Sequence, residues 1–324
     1  VELLDTGKLP GGIGYREVFA AVVDSVDRVH QDGTLKQGVL ADPGRFITLD
    51  GDIVASLLDQ RATGKLLMLI TNSDWSYTNQ VMTHTFDPFL KGGDKWRDLF
   101  EIVVVSASKP GFFTSSNPLY RVVDEELGLL EPHFGSLGSG GVFYGGNAQL
   151  LEESLGLIGD EILYVGDHLY GDVHYSKALR RWRTALILQE FEAEIRALAE
   201  FKSSQARLSA LIDERQRLET QLSAQQLAQL RATEGYADPL GPSEDHLSSI
   251  AETEAALSRL DELMAPLKDQ ASRLQNEGWG TLTRAKQDKS LFFRQIERYA
   301  DIYTSRVSNL LFPGPYATFR MGRL

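Results

Sequence analysis

Between positions 15 and 30 the apolar residues Val18, Phe19, Val22, Val23, Val26 and Val29 recur at intervals of three and four, which is one face of a helix. A second helical pattern covers 52–62 and stops at Thr63-Gly64. The period then changes. Short apolar runs without alternation follow at 66–70, 100–105, 141–144, 162–165 and 185–188. Runs without alternation suit strands buried on both faces, because neither face meets water. Helical patterns at 76–86, 147–156 and 172–181 lie between them, so the order predicts a parallel α/β sheet.

Beyond about 190 the pattern is helical again. Ile195, Leu198, Phe201, Leu208, Leu211, Leu218 and Leu222 form one stripe, and Ile250, Leu257, Leu260, Met264, Leu267 and Leu274 a second. The turn Ala237-Asp238-Pro239-Leu240-Gly241-Pro242-Ser243 separates them, so this part reads as an antiparallel helical hairpin, packed on the α/β core or on another subunit. A last helix is predicted over 289–311, ending before Pro313-Gly314-Pro315. The organisation expected is a connector (1–13), an α/β core (14–190), a hairpin (191–280), and a helix and tail returning to the core (281–324).

Composition narrows the classes. The chain has 324 residues with 42% hydrophobic, enough for a sizeable core. Its net charge of −12 argues against a general nucleic-acid or anionic-membrane binder, since phosphate neutralisation needs surplus cations, yet it permits a small phosphate pocket. There is no cysteine, which excludes disulfides, thiolate zinc sites and a cysteine nucleophile and fits a reducing compartment. No apolar stretch nears the roughly 20 residues of a membrane span. The start, Val1-Glu2-Leu3-Leu4-Asp5, has no signal-peptide profile and no initiator Met. The expectation is a cytoplasmic protein whose gene does not begin where this chain does.

Ligands of parallel sheets bind beyond the carboxyl ends of the strands. The polar residues there are Thr71 and Asn72, then Lys109, then Asp167 and Asp172. Threonine and asparagine supply neutral donors, lysine a positive charge, and the aspartates hard oxygen ligands of the kind Mg²⁺ prefers. Convergence of these groups at one sheet edge would make a phosphoryl site. Taken singly, each is more commonly a turn or helix-cap residue.

Their order along the chain resembles that of the haloacid-dehalogenase-like phosphohydrolases, in the form of the cytosolic purine (IMP/GMP-preferring) 5′-nucleotidases. Leu69-Ile70-Thr71-Asn72-Ser73-Asp74-Trp75 is similar to their second motif, Ser106-Ala107-Ser108-Lys109-Pro110-Gly111-Phe112-Phe113 to the third, and Tyr164-Val165-Gly166-Asp167-His168-Leu169-Tyr170-Gly171-Asp172 to the fourth. Gln295-Ile296-Glu297-Arg298-Tyr299 and Asn309-Leu310-Leu311 resemble the family's C-terminal helix.

The resemblance implies a Rossmann-type parallel sheet core and hydrolysis of purine nucleoside monophosphates through an aspartyl-phosphate, in a homo-oligomer. It implies that Thr71 and Asn72 bind phosphoryl oxygens, that Lys109 neutralises the phosphate, that Asp167 ligates Mg²⁺, and that Asp172 holds Lys109 or a metal-bound water. Tyr170, Gln295 and Arg298 fall at positions that form a nucleotide effector pocket in some relatives. The family's first motif, Asp-x-Asp-x-[Thr/Val], which carries the nucleophile, has no good counterpart. The local match Asp50-Gly51-Asp52-Ile53-Val54 reads better as a turn entering a helix. The chain therefore reads as the C-terminal portion of a larger enzyme. The alternative is a non-catalytic truncated homologue serving assembly or nucleotide sensing. The glycine-rich 135–141 segment reads as a flexible turn, and His168 and His174 as loop or surface histidines, because their spacing does not suit a zinc pair.

Overall fold

The computed structural model of the chain describes residues 2–138, 140–236, 244–272, 274, 276, 279–285 and 288–319. It opens with α1 (Glu2–Asp5), α2 (Tyr15–Gln31), α3 (Thr34–Ala41), α4 (Pro43–Phe46) and α5 (Asp52–Ala62). The α/β part follows as β1 (Met68–Ile70), α6 (Trp75–Phe86), β2 (Ile102–Val105), α7 (Gly111–Thr114), β3 (Leu119–Asp124), β4 (Leu129–Pro132), β5 (Gly141–Gly145), α8 (Ala148–Leu155), β6 (Leu163–Gly166), α9 (Tyr175–Arg180) and β7 (Arg183–Ile187). Then come α10 (Phe191–Glu234), α11 (Glu244–Ser272), the short strands β8 (Arg284–Ala285) and β9 (Asp288–Lys289), α12 (Leu291–Tyr299) and β10 (Ile302–Thr304). Two compact units result, one of residues 1–187 and 299–324, the other of 188–298.

The first unit holds two sheets. One has the order β1-β2-β5-β3-β4, with β1, β2 and β5 parallel and β3 antiparallel to both neighbours. The other is parallel, in the order β10-β7-β6. The chain is thus a mixed α/β protein rich in parallel pairing. The run predicted as a doubly buried strand is one: all four residues of β2 are buried. One apolar cluster joins Val103, Val105, Trp96, Leu99 and Val142. A second joins Ile102, Val104, Phe112, Phe113, Phe143 and Trp182.

Several expectations are corrected. The β3–β4 hairpin makes the first sheet mixed, where only parallel strands were expected; every residue of β4 is exposed, so no apolar run marks it. The pattern at 172–181 starts as a π-helical turn, Leu169–His174, before α9 begins. The helix predicted over 289–311 is broken. It ends at Tyr299, whose carbonyl accepts from Thr184 Oγ1 (2.9 Å), and β10 then pairs with β7, followed by a 3₁₀ turn, Val307–Leu311. A neighbouring strand thus takes hydrogen-bonding groups that a continuing helix would have used. Residues 2–5 of the expected connector form the single turn α1. The helix predicted at 15–30 forms, but its apolar side does not face a core: Phe19 is 71% exposed.

In the second unit α10 and α11 pack antiparallel, since Gln225 bonds Ser249 (2.6 Å) while Arg215 bonds Asp261 (3.1 Å). Phe201, Thr253, Met264 and Leu267 are buried there. Of the predicted stripe, Phe201 is buried and Leu208 and Leu218 are half-buried, while Ile195 and Leu198 are exposed; Phe191, outside the stripe, is buried. The turn predicted at 237–243 lies outside the described residues.

Asp301 anchors the return of the chain beside β7. It accepts from Lys177 Nζ (3.0 Å) and from the Thr184 amide (2.9 Å). Partial burial pushes its carboxyl up, but the hydrogen bonds from Lys177 and Thr184, with the Lys177 charge, outweigh this and hold it below the ordinary carboxylate range. A carboxyl depressed in the folded state stabilises above its unfolded value and loses that contribution as pH falls. Asp301→Asn should therefore unfold at a lower temperature than the wild type at pH 7. The gap should close on acidification below about pH 4, as followed by thermal unfolding across pH.

Candidate active site

The site grows from the loops after β1, β2 and β6. The β1–β2 ladder continues one residue past β1, with the Thr71 amide donating to Val104 O (2.9 Å) and the Ala107 amide to Thr71 O (3.0 Å). Thr71 Oγ1 accepts from the Ser73 amide (3.1 Å). Asp74 then caps α6 by accepting from the Tyr77 amide (2.9 Å). After β2, Ser106 and Ser108 both adopt left-handed conformations (φ 49° and 58°) and turn the chain sharply toward Lys109. Such strain collects where a side chain must be aimed.

Asn72 clamps the backbone of Lys109. Its Oδ1 accepts from the Lys109 amide (2.6 Å) and its Nδ2 donates to Lys109 O (3.1 Å). The Lys109 ammonium reaches Asp172 Oδ1 at 2.9 Å and Ile70 O at 3.3 Å. It also lies 5.7 Å from the centre of the Tyr164 ring. Both charged side chains are largely buried, 16% exposed for Lys109 and 6% for Asp172. One lysine therefore links the loop after β2 to the last carbonyl of β1 and to the turn after β6.

Asp172 is held from several sides. Its Oδ1 accepts from Tyr164 Oη (3.4 Å) and its Oδ2 from the His168 amide (3.2 Å). The π-helical turn fixes its backbone, with the Asp172 amide donating to His168 O (2.9 Å) and Ser176 Oγ to Asp172 O (2.5 Å). Burial, then the charges of Asp172 and Asp167 and the bond to Asp172, push the Tyr164 hydroxyl far above its ordinary range, so it stays a donor. Gly166 packs hard against this carboxylate: an added Cβ would lie 2.6 Å from Asp172 Cβ and Oδ2.

Asp167 follows β6 directly and is exposed, with no side-chain hydrogen bond or ion pair among the described residues. No group of three His, Cys, Asp or Glu side chains suited to a metal gathers among the described residues. His168 caps the π-helical turn, its Nδ1 accepting from the Gly171 amide (2.7 Å), which is a local structural role. Tyr170 is half exposed, with ring centres 5.9 Å from His174 and 6.4 Å from Tyr299. Gln295 and Arg298 lie on α12 in the other unit. Asp50 accepts from the Asp52 amide (3.2 Å) and from Ser308 Oγ (2.6 Å) at the start of α5, so both carboxyl oxygens serve the turn and the C-terminal segment.

Two contributors escaped the sequence reading. Tyr164 sits inside an apolar run, and only its place beneath Asp172 gives it a polar task. Lys36, on α3, pairs with Asp74 (2.7 Å) and brings a second ammonium to the loop after β1, 38 residues away in sequence. No local pattern signals such a pairing.

These features define an α/β protein that delivers a buried lysine, a buried aspartate and an exposed aspartate to the carboxyl ends of its parallel strands. The chain belongs to the 5′ nucleotidase family, whose model matches residues 1–323. Among curated proteins, it is 28% identical over 294 residues to the human 5′-nucleotidase domain-containing protein 2, across 91% of this chain and 51% of that protein. The chain spans about half the length of that relative.

Proposed function

We propose that this chain is part of a Mg²⁺-dependent 5′-nucleotidase with a haloacid-dehalogenase-like core, hydrolysing purine nucleoside 5′-monophosphates of the IMP/GMP type. The observation that carries this reading is the buried Lys109–Asp172 pair at the strand ends. A buried ammonium held beside a sheet edge neutralises the charge of a transferring phosphoryl group without reorganising. Asp172 orients that ammonium, Thr71 offers its hydroxyl to phosphoryl oxygens, and Asn72 fixes the Lys109 backbone beside them.

The same reading assigns the nucleophile to an aspartate on a strand outside these residues. Its support is a pair of open edges. Among the described residues β1 pairs only with β2 in its sheet, and β6 only with β7. Lys109 touches the end of β1 and the turn after β6 at once, so the two edges sit a short distance apart at that end. A further parallel strand between them would bring its carboxyl end beside Lys109. The aspartyl-phosphate would form there, and water would then release phosphate.

Asp167 suits Mg²⁺ as a single exposed carboxylate, because Mg²⁺ is commonly held by one or two carboxylates with water and phosphate completing the shell. The ion, when bound, would neutralise phosphoryl charge. The reading places the enzyme in the cytoplasm as a homo-oligomer.

The test is phosphate release from IMP and GMP by the polypeptide in its natural full length. Asp167→Asn should lower release at least about a hundredfold and abolish the stabilisation by Mg²⁺ seen in thermal unfolding. No release from either nucleotide would favour the assembly or nucleotide-sensing alternative. Full activity in the variant would remove Asp167 from the site.

A further inference from the structure

At the edge of the second sheet opposite Asp167 and Asp172 lies a cavity of ≈ 570 Å³, lined in part by Lys177, Arg180, Arg181 and Arg183. It opens between the 3₁₀ turn Gly159–Glu161, which leads into β6, and the residues between α9 and β7. Four basic residues contribute to its wall on a chain whose net charge is −12, although the Arg180 guanidinium is turned to Phe113 O (3.3 Å) and Glu152. Their carboxylate partners are too few to match them. Arg180 meets Glu152 at 3.7 Å, while Lys177 and Arg183 share Asp301 at 3.0 and 3.7 Å. Arg181 has no ion pair among the described residues, and the remaining carboxylate on the wall is Asp160.

The walls are built rather than incidental. Trp182 is 1% exposed and its Nε1 donates to Glu152 Oε1 (2.6 Å), so the floor is fixed. An added Cβ on Gly159 would lie 2.3 Å from Arg180 O, so only glycine lets the two walls approach this closely. Arg181 holds φ +58° at the end of α9, where glycine would carry no strain. The position thus carries a guanidinium at a cost that helix termination does not explain.

We infer that this cavity is an anion-binding site for a small phosphate-bearing molecule of nucleotide size or less, separate from the candidate active site. The class follows from the chemistry. Guanidinium groups pair with phosphate oxygens through two parallel hydrogen bonds, and several cations around one cavity match a group carrying two or more charges. The volume falls in the range of small-molecule sites. The site lies at the amino-terminal ends of β6 and β7, so its occupant does not compete with a substrate at the carboxyl ends.

The experiment is calorimetric titration of the full-length polypeptide with inorganic pyrophosphate, without added metal and against sodium chloride of matched ionic strength. Saturable one-site binding is expected. Arg181→Gly and Arg183→Gln should each weaken it at least about tenfold, and the double variant Lys109→Met with Asp172→Asn, which disables the candidate active site without stranding a buried charge, should leave it within about twofold. Arg181→Gly relieves the left-handed strain, so its unfolding midpoint should equal or exceed the wild type and exclude misfolding as the cause. Binding no stronger than matched chloride, binding indifferent to both arginine variants, or binding lost in the folded double variant would each overturn the inference.

Discussion

Lys109→Met should lower phosphate release by the full-length polypeptide at least about a thousandfold and also destabilise the chain by about 3–5 kcal/mol. The two effects share one cause. Lys109 and Asp172 are both largely buried and 2.9 Å apart. Removing the ammonium leaves a carboxylate at 4% exposure with only Tyr164 Oη and the His168 amide for compensation. A charge stranded this way costs more than the intact pair contributes, because its hydration is lost and nothing replaces it. Adding Asp172→Asn should therefore recover most of the stability, measured by urea unfolding, while activity stays lost. A single variant that unfolds at the wild-type midpoint would show that the pair does not form in solution. One that retains turnover would remove Lys109 from the chemistry.

Gly166→Ala should reduce activity by about a hundredfold without removing any polar group. Its methyl would stand 2.6 Å from Asp172 Cβ and Oδ2 and 2.7 Å from Cγ. The Asp172 side chain cannot yield cheaply. Its carboxylate bonds to Lys109, Tyr164 and His168, and its backbone belongs to a hydrogen-bonded π-helical turn. The carboxylate must shift, and Lys109 shifts with it. A displacement of about 1 Å at a positioning group is enough for the loss expected. The stability cost should be about 1–3 kcal/mol, typical of overpacking. Gly171→Ala is the control, since its added Cβ meets the nearest atom, His168 Nδ1, only at 3.1 Å. Equal activities for the two variants would mean that the approach of Gly166 to Asp172 does not matter.

Much of the α/β part was legible because its strands carry their burial in their composition. The run Ile102-Val103-Val104-Val105 has no polar position to turn outward, and it lies buried as β2. The polar stops after the runs are equally local, so Thr71, Lys109, Asp167 and Asp172 could be named from position. Position alone did not give their roles, although the resemblance implied that Asp172 holds Lys109, and the two stand 2.9 Å apart. Asn72 reads as a free donor, yet both ends of its carboxamide are used on the Lys109 backbone. Asp167 and Asp172 look equivalent in sequence, but one is exposed and the other is buried beneath Lys109 and Tyr164. The hairpin β3–β4 was hidden for the opposite reason, since an exposed edge strand leaves no apolar run to find.

The C-terminal segment shows where local reading ends. The helical spacing from 289 onward is genuine as far as Tyr299, and α12 forms. Beyond it, Thr184 captures Tyr299 O and Asp301, from residues more than a hundred positions earlier, and β10 joins β7. Period and composition by themselves determined the α/β class, the hairpin helices and the polar residues at the strand ends, because burial and backbone pairing within a segment depend on its own side chains. Only the tertiary structure decided which carboxylate is buried and where the last helix stops, because those outcomes depend on charges and hydrogen-bonding groups brought together from distant parts of the chain.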